Sequence, residues 1–365
     1  MTTAIISGSY PPVIDGVGDH TFRLRTHLTR RGVRVLVITS ADSRINPVPD
    51  VLPIIKHWGI TGILSILNTI RSAHPVVDFA CLQYPTISYR RNPAVNLLPL
   101  LLRLRFPRLR IAVILHEYLS YSPIGRLRIL LTLLPAHAII VPEERLQIIL
   151  RRFFFFKRNS VHLVPISSNI IPVDYKKNYA LLEPITVAHF GIIRRGRGIE
   201  NIIRAVHSLG RRNIRLLLIG GSLSDDDYPQ KILDLIGSLN MTASVTITGY
   251  LDNDRVSKLL LASDILLLPF PDGVSERRTT FLTGLDHRIP IITTRGLSSP
   301  SSLRDNENVK FVRSTSVADI AYALEELLND DRLREKIGRG GYEWIRRFTW
   351  PDIAASMIKI ITVKR

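Results

Sequence analysis

A single cysteine in 365 residues leaves no internal disulfide to form and no thiol cluster to hold zinc. Cys81 sits in the apolar run Phe79 to Leu82, the setting of a buried structural thiol. Nothing therefore points to an oxidising compartment. Long hydrophobic runs are missing as well. The most apolar stretch, Leu97 to Leu104, contains Pro99 and Arg103 and is closed by Arg105. It falls well short of the roughly 18 apolar residues that cross a bilayer. A signal peptide is not expected either, because Ala4 to Ile6 is followed at once by Gly8, Tyr10, Pro11 and Pro12. These absences lead us to expect a cytoplasmic protein. No Asp-x-Asp pair closes a strand, so no catalytic metal is expected. The dense acidic run Asp225-Asp226-Asp227 reads as a solvated turn before a helix.

What the chain has in excess is positive charge. Its formal charge is +18, while 45% of residues are hydrophobic and 22% charged, the balance of a globular protein. The length suits two domains of roughly 170 residues better than one core. Between Arg90 and Arg158 thirteen Lys and Arg stand against Glu117, Glu143 and Glu144, a net +10. Such a patch favours a polyanion. Nucleic acid is disfavoured, since few aromatics are interleaved with the basic residues beyond Phe153 to Phe156. An anionic membrane surface fits better. Glu143 to Arg158 can form a helix with Leu146, Ile149, Leu150 and Phe153 on one side and Arg151, Arg152, Lys157 and Arg158 at its edge and end. The competing reading is a plain core helix with solvated arginines. We therefore expect a peripheral protein at the inner face of the membrane.

Apolar strands alternate with helix-length segments. Strands are expected at Thr3 to Ser7, Arg34 to Thr39, Val77 to Leu82, Ile111 to Leu115, Ala138 to Val141 and Val161 to Pro165. A long loop, Pro11 to Gly18, leads into a first helix from Asp19 to Arg31. The pattern then restarts with strands at Ile185 to Phe190, Ile214 to Ile219, Ser244 to Thr248, Ile265 to Pro269 and Ile289 to Thr293. Uninterrupted apolar strands separated by helices imply parallel sheets covered on both faces. The expected organisation is an N-terminal Rossmann-like domain over 1–168, a linker over 169–184, a second Rossmann-like domain over 185–349, and a terminal helix over 350–365 packing back on the first. Two doubly wound domains facing across a cleft is the simplest architecture, with chemistry beyond the carboxyl ends of the strands.

Four loops stand at such ends. Gly16-Val17-Gly18 opens the first helix, where backbone amides can meet a ligand; an ordinary strand-to-helix turn is the alternative. Gly191 to Gly198 joins a turn, a helix start and Arg194, Arg195 and Arg197, a combination suited to a diphosphate. Pro269 to Thr280 offers Ser275, Glu276, Arg278, Thr279 and Thr280 before another helix, where capping is the plain explanation. His116 ends a strand of the first half, a position where a lone histidine is more often structural.

In this order these residues resemble the retaining GT-B glycosyltransferases, the large bacterial family of group 1, family 4 enzymes. The resemblance runs through Pro11-Pro12…Gly16-x-Gly18, His116, Val164 to Ile170, Phe190-Gly191…Arg197-Gly198-Ile199-Glu200, Ile219-Gly220-Gly221, Thr248-Gly249-Tyr250-Leu251, Ala262 to Phe270 and Phe348-Thr349-Trp350. It implies an α/β GT-B fold whose second domain binds a nucleotide-sugar donor and whose first binds the acceptor, a glycan, lipid-linked or small molecule. It further implies that Gly16, Val17 and Gly18 approach the donor and that His116 contacts its sugar. Arg197 stands where the family has a lysine on the diphosphate, and Gly191, Arg195, Tyr250, Ser275, Glu276, Arg278, Thr279, Thr280 and Thr283 line the nucleotide-sugar site. Two departures stand out. The family's Gly-Arg pair is Gly191-Ile192 here, leaving Arg194 or Arg195 to supply the cation. Its Glu-x7-Glu motif is replaced by Ser275 and Thr283, or by Glu276 after a one-residue shift.

With no carboxylate nucleophile in place, the implied chemistry is front-face substitution that needs no cofactor and no metal, the nucleotide-sugar being a co-substrate. Three other classes compete: a GT-B scaffold that has lost catalysis, a basic nucleic-acid-binding protein, and a sugar-nucleotide epimerase.

Overall fold

The computed structural model describes residues 1–42, 44–89, 92–174, 184–211, 213–222 and 227–362. The chain divides into two compact units, Met1–Asn169 with Phe348–Arg365, and Ile170–Arg347. Residues 175–183 of the expected linker lie outside the described residues, as do Asp225, Asp226 and positions 363–365 of the terminal segment.

The first unit runs β1 (Thr2–Ile6), α1 (Gly16–Arg30), β2 (Arg34–Ser40), β3 (Val51–Ile55), α2 (Ile60–Ser72), β4 (Phe79–Tyr84), α3 (Ala94–Arg105), β5 (Arg110–Leu115), α4 (Pro123–Leu133), β6 (Ala138–Val141), α5 (Glu144–Phe153) and β7 (Val161–Leu163). The strands form a parallel sheet in the order β3-β2-β1-β4-β5-β6-β7. Ile5 pairs with Val37 on one side and Cys81 on the other. Every residue of β1 and β4 is buried, as a sheet covered on both faces requires. Cys81 is among them, and burial pushes its thiol up to about 12.

One face carries Ile63, Ile66, Leu98, Leu102, Ile129 and Leu150 from α2 to α5. The other carries Leu24 and Leu28 of α1 and the chain's last helix. That helix buries Trp350, Ile353, Ala354, Met357 and Ile361, a helical stripe. Each large apolar side chain so covered contributes about 1.5–3 kcal/mol.

The second unit contains β8 (Ile185–Phe190), α6 (Ile199–Ser208), β9 (Ile214–Ile219), α7 (Tyr228–Ser238), β10 (Val245–Ile247), α8 (Asn253–Ala262), β11 (Ile265–Leu268), α9 (Thr279–Asp286), β12 (Ile291–Thr294), β13 (Lys310–Val312), α10 (Val317–Asn329) and α11 (Asp331–Ile345); α12 (Trp350–Thr362) is the helix that returns to the first unit. Its parallel sheet has the order β10-β9-β8-β11-β12-β13. Ile199, Ile202, Ile203 and Val206 of α6, with Ile232 and Ile236 of α7, cover one face, while α9 packs against α11 and β12.

Several local expectations change. The first helix starts at Gly16 rather than Asp19, because Asp15 caps it. Strands β3 and β13 carry no strong apolar alternation and were not expected from the pattern. The helix expected over Glu143 to Arg158 stops at Phe153, and a 3-10 segment follows over Phe155–Ser160. The chain leaves the helical path there, so Phe154 turns into the core and Phe153 stays 53% exposed.

Candidate functional site

In each sheet the strand order reverses direction once: between β1 and β4, and between β8 and β11. Loops leaving the carboxyl ends of the strands on either side of such a reversal diverge and leave a crevice.

At the reversal of the second unit, the loops are 191–198 after β8 and 269–278 after β11. They touch: a Cβ on Gly198 would stand 3.5 Å from the Pro269 carbonyl oxygen. Gly198 has φ +72 as the residue preceding α6, a left-handed conformation that suits glycine. Having no side chain, it caps none of the helix's first amides. Helix α9 likewise begins after Arg278 without a side-chain cap. By contrast α8, α10 and α11 are capped by Asp252, Ser316 and Asp330. Helix α7, after β9, is also uncapped, so uncapped starts follow β8, β9 and β11, and helix N-termini favour anions.

The cations converge on the same place. Arg197 is half-buried, and its guanidinium is pushed down to about 10 by burial first, then by Arg194 and Arg278, with Asp272 opposing. It stays charged at neutral pH. Arg278 lies 4.2 Å over the Phe270 ring and pairs with Asp272. The charges of Arg194 and Arg278 thus both bear on Arg197 and outweigh Asp272, a positive field at the loop ends that an anion would relieve. Arg195 is not part of this group. It pairs with Asp227 at 2.5 Å and lies 5.5 Å from the Tyr228 ring centre. Arg194 therefore supplies the cation next to Arg197. Asp227 also pairs with Lys231 at 2.8 Å and is held below the usual carboxylate range by Lys231 and Arg195.

Around the cations stand the remaining expected residues. Gly191 donates its amide to the Ile219 carbonyl at 3.0 Å. A Cβ on Gly191 would lie 3.8 Å from Thr280 Cγ2 and 3.9 Å from His189 Nε2. Gly220 has φ +135, and a Cβ there would collide with the Gly191 carbonyl oxygen at 2.0 Å, so only glycine lets the two turns meet. Tyr250 packs over Gly221 and is 39% exposed. Glu276, in the loop before α9, and Thr279, the first residue of α9, are half-buried. Ser275 is 3% exposed, and its buried hydroxyl has no hydrogen-bond partner among the described residues. A buried orphan hydroxyl is rare unless a ligand or water completes it. Thr283 is 1% exposed on α9, and its carbonyl accepts from His287 Nδ1 at 2.7 Å.

The sequence reading missed His189. Its Nδ1–H donates to the Leu267 carbonyl at 2.8 Å, which leaves Nε2 unprotonated beside Gly191 and Thr280. Burial first pushes its pKa down to about 4.

The reversal in the first unit is built differently. The Asp15 side chain accepts from the Val17 amide at 3.1 Å, and Ser9 donates to Asp15 in turn. The Val17 amide is therefore occupied within the unit, contrary to the expectation that the turn offers it to a ligand. A Cβ on Gly16 would meet open space, whereas one on Gly18 would stand 3.1 Å from Ser9 Oγ. In the first turn, burial and then Asp15 raise Asp19 to about 6.

His116 follows β5 and is half-buried. Its Nε2 lies 2.6 Å from Gln83 Oε1, and Gln83 Nε2 lies 3.4 Å from His20 Nδ1. Gln83 is fully buried. With Nε2 donating to an amide oxygen, His116 keeps Nδ1 as an acceptor; this tautomer follows from its partner. Burial pushes His116 down to about 4 and His20 well below its ordinary value. Both imidazoles are neutral at pH 7. A cavity of about 10 Å³ between His20, His116 and Met357 has room for about one water. A larger pocket of about 370 Å³ opens beyond β1 to β3, lined by Tyr10, Asp42, Lys56, Trp58 and Tyr89 among others. Gln83 and His20 were not expected; the one signal was a glutamine inside the apolar run of β4.

Residues 174–344 match the family model for glycosyl transferases group 1. The second unit is a group 1 glycosyl transferase domain. A D-inositol 3-phosphate glycosyltransferase of Corynebacterium aurimucosum is 24% identical over 181 residues, 48% of this chain and 42% of that protein. The matched stretch thus spans about two fifths of that relative. In fold the likeness extends over the whole chain. Sucrose-phosphate synthase from Thermosynechococcus elongatus aligns with a TM-score of 0.74 at 19% identity, covering 99% of this chain and 98% of that one. The Anabaena protein HepE, in complex with UDP and glucose, aligns with a TM-score of 0.77 at 14% identity, covering 99% of both. Both units therefore share the GT-B fold of these proteins, two parallel-sheet Rossmann-like units, and the glycosyl transferase domain is the one that carries the crowded arginines.

Proposed function

We propose that the chain transfers a glycosyl group from a nucleotide-sugar donor to an acceptor, with retention of anomeric configuration. The observation that carries this reading is the meeting of Arg194, Arg197 and Arg278 with the uncapped starts of α6 and α9 in the glycosyl transferase domain. In that reading Arg197 and its neighbours hold the donor's diphosphate, and the Ser275 hydroxyl, Glu276, Thr279, Thr280 and Tyr250 complete the nucleotide-sugar site. His116 presents its Nδ1 lone pair to a sugar hydroxyl. The pocket beyond β1 to β3 takes the acceptor.

The acceptor oxygen attacks the anomeric carbon on the face from which the diphosphate departs. The carbon–oxygen bond to the diphosphate breaks, and a diphosphate oxygen takes the acceptor's proton. Negative charge grows on the leaving group in the transition state, where fixed cations and preorganised amides act most strongly. In this reading the guanidinium groups neutralise the leaving diphosphate in place of a divalent ion, and the reaction proceeds without metal. Calorimetric titration with UDP-, GDP- and ADP-sugars, followed by product analysis, tests the reading. Binding of one donor and transfer with retention support it; failure of all three donors to bind sinks it.

We propose further that the first unit binds an anionic membrane surface peripherally. No described helix is long and apolar enough to cross a membrane. Yet α3 exposes Leu97, Leu100 and Leu104, α4 exposes Ile124, Leu127 and Leu131, and Phe155 and Phe156 are 74% and 63% exposed. Basic side chains border them, and each contributes about 1 kcal/mol near an anionic surface. Of the four residues singled out, Arg151 is drawn to the Val161 carbonyl at 3.2 Å and Lys157 to the Leu134 and Ala136 carbonyls, while Arg152 and Arg158 are exposed. Co-sedimentation with vesicles should require anionic lipid and weaken with salt and on Arg152→Ala with Arg158→Ala. Indifference of the wild-type protein to such vesicles at low salt would remove the membrane from the account.

A further inference from the structure

Two histidines of the glycosyl transferase domain are buried to the same degree, each 4% exposed, and use their nitrogens differently. His287, just past α9, engages both: Nδ1 donates to the Thr283 carbonyl at 2.7 Å and Nε2 accepts from Ser257 Oγ at 2.8 Å. It is a structural histidine, satisfied inside the unit. His189 engages one. Its Nδ1–H donates to the Leu267 carbonyl at 2.8 Å, and none of the described residues donates to Nε2. A buried acceptor without a partner is costly. A leucine or phenylalanine would fill the end of β8 without that cost.

What Nε2 borders is a gap. The position that a Cβ on Gly191 would take lies 3.9 Å from Nε2 and 3.8 Å from Thr280 Cγ2. Because Gly191 has no side chain, this space between the end of β8 and the start of α9 stays open. It belongs to the crevice already described, since Gly191 opens the loop that carries Arg194 and Arg197. Burial first, opposed by the bond to Leu267 and reinforced by the Arg197 charge, holds the ring neutral at pH 7. Nε2 therefore carries a lone pair and not a proton.

Every group that the donor reading sets against the diphosphate is a hydrogen-bond donor: the guanidinium groups of Arg194, Arg197 and Arg278 and the first amides of α6 and α9. A lone pair has no use against the phosphate oxygens of a sugar nucleotide, which carry no proton at neutral pH. It needs an O–H group. Resting on that donor reading, we propose that His189 is a specificity-determining residue whose Nε2 accepts a hydrogen bond from a hydroxyl of the sugar nucleotide next to its diphosphate. The transferred sugar and the ribose both carry hydroxyls there. A donor with hydrogen in place of that hydroxyl leaves the lone pair buried and unpaired, which is how a site built for a hydroxyl rejects the analogue lacking it.

The test uses the full-length protein and His189→Asn, whose amide nitrogen can stand in for Nδ1 and keep the bond to Leu267 while nothing replaces Nε2. Calorimetric titration compares the two with UDP-, GDP- and ADP-glucose and with free UDP, GDP and ADP. The glucose nucleotide that the wild-type protein binds should bind His189→Asn about tenfold more weakly. A loss restricted to the glucose nucleotide identifies a hydroxyl of the transferred sugar, and a loss shared by the free diphosphate identifies the ribose. In nitrogen NMR spectra of the wild-type imidazoles, the His189 Nε2 signal should move on saturation and stay that of an unprotonated nitrogen. Equal affinities of the two proteins, or an Nε2 that gains a proton on binding, overturn the proposal and leave the donor reading standing. Binding of none of these nucleotides by the wild-type protein overturns both.

Discussion

The two sheets reverse strand order in the same way and furnish the two reversals with opposite electrostatics. In the glycosyl transferase domain the crevice collects Arg194, Arg197 and Arg278 and leaves α6 and α9 uncapped. In the first unit Asp15 caps α1, Asp19 follows in its first turn, and the imidazoles of His20 and His116 are neutral. In the function proposed, the first of these crevices takes a strong anion and the second takes neutral, hydroxyl-rich chemistry. The fold places both crevices; single residues at the loop ends decide what each can hold.

What the units share gives the largest expected effect. His116, His189 and His287 are each held near 4, below the ordinary 6.5, chiefly by burial. A histidine with a depressed folded pKa stabilises the fold fully above its unfolded pKa, and that stability is lost as pH falls from about 6.5 towards 4. Each contributes at most about 3 kcal/mol. Asp19 and Asp286, raised to about 6 by burial, act in the opposite sense and recover part of the loss between about 6 and 3.8. Chemical denaturation should therefore show stability falling from pH 6.5 downward in both units. A flat profile to pH 4.5 would mean the histidines are not buried neutral.

The difference between the crevices is sharpened by substitution. Arg197→Ala should lower turnover by on the order of 10²-fold with the fold intact, because a cation on the leaving group acts in the transition state. His116→Ala should cost about tenfold, the scale of one hydrogen bond to a neutral hydroxyl. If the two losses are equal, the electrostatic contrast has no functional meaning. Asp15→Ala should remove about 1 kcal/mol of stability through the lost cap and leave nucleotide affinity unchanged. Weaker nucleotide binding in that variant would return the turn at Gly16 to the donor site.

Much of this was legible in the sequence because apolar strands and glycine loops announce a parallel sheet. The strand Ile185 to Phe190 and the helix from Ile199 stand where the pattern put them, within a residue. Strand β13 is three residues long and includes Lys310, so no periodicity could mark it. The start of α1 was hidden because Gly16 and Gly18 are poor helix formers; a cap by Asp15 outweighs their propensity. Within the candidate site, the loop sequence alone singles out Arg197. It does not decide between Arg194 and Arg195, since that choice depends on Asp227 drawing Arg195 towards α7. Gln83 and His20 were invisible for a related reason: the contact with His116 joins β4, α1 and the end of β5.

The central claim is that the reversal between β8 and β11 is a diphosphate site neutralised by arginine. Calorimetric titration of UDP, GDP and ADP in EDTA-containing buffer tests it, with the wild-type chain and Arg197→Ala side by side. The account expects one nucleotide to bind the wild-type chain without metal and to bind Arg197→Ala at least about tenfold more weakly. Binding that appears only on adding Mg²⁺ or Mn²⁺, or that is equal in the two proteins, would contradict it.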